Sequence, residues 1–216
     1  MHIDHSQVVK EGYDAIVERY LAMRPRDTAD VRLLDRLIES VPKGGAVLDA
    51  GCGAGVPITE LLVGHFDVTG VDFSEEQISR ARQLVPQAHF LCADLRSVEF
   101  PPACFDAICA YYSIIHIPRQ DHTAVLKRFE HFLRPGGVAL LCLGAGDLPS
   151  DTVSDFLGAP MFWSHFDAKT NTRLVEQSGL TVEWTTLVED ITSPGAGHLF
   201  VFARKPIRLV SVSEQL

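Results

Sequence analysis

The stretch Val47-Leu48-Asp49-Ala50-Gly51-Cys52-Gly53-Ala54-Gly55-Val56-Pro57 constrains this fold more than any other part of the chain. Val47 and Leu48 suit a buried strand, and Asp49 follows near its end. The three glycines permit a sharp turn that presents bare backbone to a ligand. Pro57 fits the first turn of a following helix, where its missing N–H is no loss. The start of that helix offers unpaired N–H groups and the positive end of its dipole to an anion. The dinucleotide pattern Gly-x-Gly-x-x-Gly has its third glycine where Val56 stands here. Asp49 is a further departure, because a carboxylate beside the turn repels a pyrophosphate and attracts an amine. The loop therefore suits a ligand carrying both an ammonium and a carboxylate.

Around this loop the chain reads as alternating short apolar runs and helical stretches, the pattern of a parallel sheet wrapped by helices. Helices are predicted over 7–22 and 28–40, the second broken by Pro42-Lys43-Gly44-Gly45. Strands follow at 46–50, 67–72, 89–93, 105–111 and 138–143, with helices at 57–64, 74–85 and 121–133 between them. Ser74 is an expected N-cap with Gln77 at the capping-box position. Residues 144–166 read as a long loop rich in aromatics, of the kind that serves as a lid. Asp167 caps a helix over 168–178, which Gly179 ends. Residues 180–188 and 197–204 then pair around Thr-Ser-Pro-Gly-Ala-Gly.

Composition narrows the partners. A formal charge of −9 over 216 residues disfavours nucleic acid and anionic membranes, whose phosphates would be repelled. No apolar run approaches a membrane span, and Met1-His2-Ile3-Asp4-His5 lacks a basic-then-apolar leader pattern, so the expected compartment is the cytoplasm. The five cysteines, Cys52, Cys92, Cys104, Cys109 and Cys142, show no Cys-x-x-Cys spacing and read as buried thiols. The histidines show no ligand spacing either, so no metal is expected.

The glycine stretch resembles motif I of the class I S-adenosylmethionine (SAM) dependent methyltransferases, hydrophobic-hydrophobic-(Asp/Glu)-x-Gly-x-Gly-x-Gly. Phe105 to His116 resembles motif IV, and Arg134-Pro135-Gly136-Gly137 matches the turn before the fifth strand. Tyr13-Asp14…Tyr20 and Gly158 to Phe166 place the chain nearest the bacterial small-molecule branch. The resemblance implies an α/β, Rossmann-like fold: a seven-stranded, mostly parallel sheet with helices on both faces and a C-terminal antiparallel hairpin. It implies one domain over 1–206, with residues 1–45 over the cofactor site, 144–166 as a lid and 207–216 as a tail.

It also implies cofactor contacts. Asp49 with Ala50, Gly51, Cys52 and Gly53 would hold the amino-acid end of SAM, and Asp72 the ribose hydroxyls, with Phe73 flanking adenine. Asp94 would accept from the adenine amino group, with Ala93 and the Leu95 amide beside it. Tyr20, Ala110 and Tyr111 complete the set. Asp49, Asp72 and Asp94 each close a successive strand, which would bring all three to one crevice. The motif IV segment lacks the signatures of DNA-adenine, pyrimidine-C5 and arginine enzymes. The expected acceptor is therefore a small molecule methylated on O, N or S, and the product of SAM is S-adenosylhomocysteine.

Direct displacement needs the nucleophile aligned behind the methyl carbon, and positioning can supply roughly 7–11 kcal/mol. A general base adds about 10²–10⁴-fold. Candidate bases are His116, His165 and His198, with Tyr20 or Tyr111 as positioning hydroxyls, and Phe162, Trp163 and Phe166 are expected to wall an acceptor pocket. Two other readings of the sheet are an NAD(P)-dependent oxidoreductase and a SAM-binding protein without transferase activity. A monomer or homodimer is expected.

Overall fold

A computed structural model describes residues 5–189 and 197–207. Nine strands are assigned: β1 Ala46–Ala50, β2 Asp67–Asp72, β3 His89–Cys92, β4 Phe105–Ala110, β5 Leu133–Gly144, β6 Leu148–Phe156, β7 Ala159–His165, β8 Thr181–Glu189 and β9 Gly197–Arg204. The helices are α1 His5–Met23, α2 Ala29–Arg32, α3 Leu34–Ser40, α4 Ile58–Leu62, α5 Glu75–Leu84, α6 His122–Phe132 and α7 Ala168–Gln177.

Seven strands form one sheet in the order β3-β2-β1-β4-β5-β9-β8. The first five run parallel, and β9 enters antiparallel between β5 and β8. The parallel strands are apolar on both sides because helices cover both faces. On one face Phe129, Phe132 and Val175 of α6 and α7 pack on Leu48, Ile108 and Leu141. On the other, Leu34, Leu37 and Leu62 pack on Val47, Cys109 and Leu140. This is the expected sheet. The turn between β8 and β9 lies outside the described residues, as do Met1 to Asp4 and most of the 207–216 tail.

Three expectations are corrected. Residues 28–40 form two helices, because Leu33 and Arg36 bond three residues back, to Asp30 and Leu33, and the ladder changes there. The Arg134–Gly137 turn lies inside β5: the register jumps from Phe105↔Leu133 to Ala107↔Val138, and Gly136 at φ +85° absorbs the irregularity. The segment 144–166 is an antiparallel ribbon, not a loop. Asp151 pairs with Trp163 and Val153 with Met161, and the turn at Leu157 and Gly158 takes left-handed backbone. Its apolar residues, scattered by prolines and glycines in sequence, become a packing face: Met161 and Phe162 are buried against Val9 and Ile16 of α1. Thus α1 and the ribbon form one cap beside the carboxyl ends of β1 to β4.

No helix among the described residues is long and apolar enough to cross a membrane. Of the cysteines, Cys109 and Cys142 are buried, Cys52 and Cys104 are half-buried, and Cys92 is exposed at the end of β3, against expectation.

Candidate active site

A crevice runs along the carboxyl ends of β1, β2 and β3 and under α1. Its walls include Asp49, Gly51, Cys52, Gly53, Asp72, Phe73, Ala93, Asp94, Leu95 and Tyr111. Parallel strands bring this about, since each delivers its last side chains to the same edge. The three acids therefore meet in one cavity. Ala50 and Ala110 are fully buried behind that wall.

The glycine turn takes left-handed backbone at Gly51 (φ +81°), Gly53 (+54°) and Gly55 (+79°). The N–H groups of Gly51 and Cys52 bond the Val71 carbonyl at 2.7 and 3.0 Å, which ties the turn to β2. A Cβ on Gly51 would collide with Ser113, whose hydroxyl donates to the Ala50 carbonyl at 2.7 Å. Gly53 faces open space, its nearest prospective neighbour being the Gln77 amide oxygen at 3.6 Å. The helix after the turn, α4, is five residues long and shorter than expected.

Asp49 is 1 % exposed and accepts from Thr59 Oγ1 at 2.6 Å. Burial pushes its carboxyl up to about 6 despite that bond. Asp72, half-buried on the cavity wall, accepts from the backbone N–H of Gly53 at 3.0 Å and of Ser74 at 2.9 Å. Burial again dominates and raises it to about 6. No cation among the described residues pairs with either acid. Asp94 differs. Burial would raise it, but the bidentate Arg96 guanidinium, bonded at 2.6 to 3.1 Å, outweighs that and holds it below the usual carboxylate range.

Ser74 caps α5 by accepting from Gln77 N, as expected. Its hydroxyl also donates to Asp14, and the Gln77 amide donates to the Tyr13 carbonyl at 3.4 Å. These bonds bring α1 down on the crevice.

Sequence reasoning did not single out Arg24. Its side chain is 9 % exposed, and the guanidinium pairs with Asp30 at 3.3 Å and lies 4.6 Å from the Tyr112 ring centroid. Tyr112 Oη donates to the same Asp30 carboxylate at 3.0 Å. Burial opposes the Arg24 charge, but Tyr20, Asp30 and Tyr112 outweigh it and raise its pKa. The side chain lines the crevice at the end occupied by Tyr20 and Tyr112. Its place one turn after Tyr20 was the only signal in the sequence. Tyr111, expected to position a ligand, instead donates its hydroxyl to the Asp30 carbonyl at 3.0 Å and is buried.

The candidate bases separate. His116 lines both the crevice and an adjoining outer cavity of about 660 Å³, whereas His165 and His198 line only the outer one. His165 Nδ1 lies 2.8 Å from the Gly146 carbonyl, and the His198 ring packs 4.9 Å from that of Tyr112. His116 Nδ1 lies 2.7 Å from the Phe162 carbonyl, which can only accept, so Nδ1 carries the proton. The unprotonated Nε2 then accepts from the Tyr13 hydroxyl at 2.9 Å. Burial lowers His116 to about 4, so the imidazole is neutral at ordinary pH. Burial also raises Tyr13 well above its usual value. Of the aromatics expected to wall an acceptor pocket, only Trp163 lines the outer cavity. Phe162 is buried and stacks on His5 at 4.1 Å, and Phe166 packs on His122 and Arg119, because alternation along β7 and the start of α7 turn them away. Among the described residues no group of His, Cys, Asp and Glu could hold a metal.

Residues 47–137 match the methyltransferase domain family. A 27-O-demethylrifamycin SV methyltransferase from Amycolatopsis mediterranei is 35% identical over 120 residues, covering 51% of this chain and 43% of that protein. A trans-aconitate 2-methyltransferase from Azoarcus is 41% identical over 107 residues, 47% of this chain and 41% of that one. The chain thus spans less than half the length of these curated relatives. In solved structures, the 1,6-didemethyltoxoflavin-N1-methyltransferase of Burkholderia thailandensis, with bound 1,6-didemethyltoxoflavin and S-adenosylhomocysteine, superposes with a TM-score of 0.73. That match covers 95% of this chain and 92% of the other at 19% identity, a likeness of fold.

Proposed function

We propose that this chain, whose fold is that of the class I SAM-dependent methyltransferases, is a single catalytic domain that moves a methyl group from SAM to a small molecule. The observation that carries this reading is the meeting of Asp49, Asp72 and Asp94 with a bare glycine turn in one crevice.

The residues fit such a ligand. Asp49 and Asp72 are carboxylates that burial penalises and no side-chain cation relieves, so a cationic amino acid and a diol would each supply the missing partners. Gly53 leaves room where any Cβ would face the ligand. Arg24, at the Tyr20 end, supplies the positive charge a carboxylate needs. Phe73 and Leu95 would flank the adenine, with Ala93 and Asp94 at its edge. When bound, SAM supplies an electrophilic methyl group on a positively charged sulfur.

The chain's own contribution is to place and deprotonate the acceptor. The Phe162 carbonyl fixes the His116 tautomer, and His116 Nε2 orients the Tyr13 hydroxyl. The Tyr13 oxygen keeps a lone pair for an acceptor O–H or N–H. An acceptor placed here would give up its proton to Tyr13 Oη as it is methylated. The Tyr13 proton passes in turn to His116 Nε2. A buried imidazole near 4 is a weak base, so this relay serves a proton that leaves late, as the new bond forms.

Calorimetric titration with S-adenosylhomocysteine and with NADH tests the reading. Micromolar binding of the first and none of the second is expected, and the reverse result excludes it. A SAM-binding protein without transferase activity would bind equally tightly yet turn over no member of an acceptor library.

A further inference from the structure

The outer cavity adjoins the crevice at Tyr13, Tyr20, Arg24, Tyr112 and His116, and it is large enough for a small-molecule acceptor. Its wall is a run of rings in mutual contact. Tyr20 meets Tyr13 at 5.4 Å, Tyr13 meets His116 at 5.3 Å, His116 meets Trp163 at 5.5 Å, and Trp163 meets Phe156 at 5.2 Å between centroids. Tyr112 closes the wall, already holding the Arg24 guanidinium 4.6 Å from its centroid. Aromatic faces are negative and attract cations.

Among the described residues the charged groups on this cavity are Arg24 and three aspartates on or just before β6, Asp147, Asp151 and Asp155, beside His116, His165 and His198. Arg24 is matched by Asp30, and Asp147 by Arg119 at 2.7 Å. Asp155 accepts the backbone N–H of Gly158 at 2.7 Å. Asp151 sits on the ladder directly opposite Trp163. Cross-strand neighbours bring side chains within contact, so the carboxylate and the indole share one spot on the ribbon. Strand alternation puts Asp151, Val153 and Asp155 on the same side of β6, the side that faces the cavity. Among the described residues neither Asp151 nor Asp155 makes an ion pair, so the mouth carries two carboxylates above an aromatic wall, an arrangement that repels anions and gives a neutral molecule nothing comparable.

We infer that the acceptor bears a protonated amine on an apolar or aromatic body, its ammonium seated between Asp151 and Trp163 near Asp155 and its nucleophilic atom directed inward at Tyr13. This rests on the proposed methyl transfer and names the chemical class of its acceptor.

The test compares three probes of one shape in the presence of saturating S-adenosylhomocysteine: 2-phenylethylamine, 2-phenylethanol and phenylacetate, titrated up to about 10 mM. The amine is expected to bind at least about tenfold more tightly than the other two. Asp151→Asn and Asp155→Asn together should remove most of that preference while leaving the melting temperature and the S-adenosylhomocysteine affinity unchanged. The preference should also shrink as salt is raised. Equal or tighter binding of the alcohol or the acid overturns the inference, as does an amine preference that survives both substitutions, or no binding of any probe. Failure of S-adenosylhomocysteine itself to bind would instead remove the methyltransferase reading, so the two failures are separable.

Discussion

Asp49 and Asp72 hold carboxylates where burial resists their ionisation, which is destabilising in the empty protein. With folded values near 6 against 3.8 for the free group, protonation stabilises the folded state fully below about 3.8, and that stability is lost as pH rises through about 6. Each shift is worth roughly 3 kcal/mol. Asp49→Asn removes one such charge and can still accept from Thr59. The empty variant should melt a few degrees higher at pH 7.5 by calorimetry, roughly 2–4 °C per kcal/mol regained. Its S-adenosylhomocysteine affinity should fall at least about tenfold, because the ligand loses a charged partner. His116→Ala should lower kcat by about 10²–10⁴-fold in a turnover assay while changing cofactor affinity little, since His116 stands where the crevice meets the outer cavity. An unchanged kcat would remove the relay.

Among the elements, α1 and the β6–β7 ribbon are packed as one cap, and at Gly12 the two come close. A Cβ there would come within 2.5 Å of the Pro160 carbonyl oxygen and 2.9 Å of the Met161 methyl group. The carbonyl is backbone and cannot give way without moving β7. Gly12→Ala should therefore separate helix and ribbon at a cost of about 1–3 kcal/mol, offset a little by better helix propensity. Hydrogen exchange should show residues 159–165 opening faster, with the β1 to β5 amides unchanged. The elements also show where the sequence was opaque. The ribbon's strands contain Pro149 and Pro160, and β6 is exposed through most of its length, so no alternation of apolar and polar residues marked it. Its pairing exists because α1, far away in sequence, offers Val9 and Ile16 as a surface for Met161 and Phe162. The helix at 28–40 divided for a similar reason, a change of hydrogen-bond partner that residue spacing does not encode.

Across the whole molecule, the crevice acids set the pH response. The ligand's ammonium and diol prefer ionised Asp49 and Asp72, so S-adenosylhomocysteine affinity should rise between pH 5 and 7 with a midpoint near 6, then level off. Isothermal titration across that range checks it; a flat profile would mean the acids do not face the ligand's charge. His116, near 4, should add no titration of its own at neutral pH.

The parallel sheet and the meeting of three strand-end acids were legible in the sequence, because apolar runs of strand length can only be buried side by side; the strand order was not. A parallel sheet then sends every strand's end to one edge. Arg24, the Tyr13–His116–Phe162 relay and the aromatic wall were not legible. Each joins residues that are neighbours only because α1 and the ribbon fold over the same edge, and contacts between such distant segments follow from packing rather than from local pattern. The linear chain thus determined where a ligand with an amine and a diol could be held. The tertiary arrangement alone decided what closes over it, which histidine nitrogen is left unprotonated, and what charge the adjoining chamber presents.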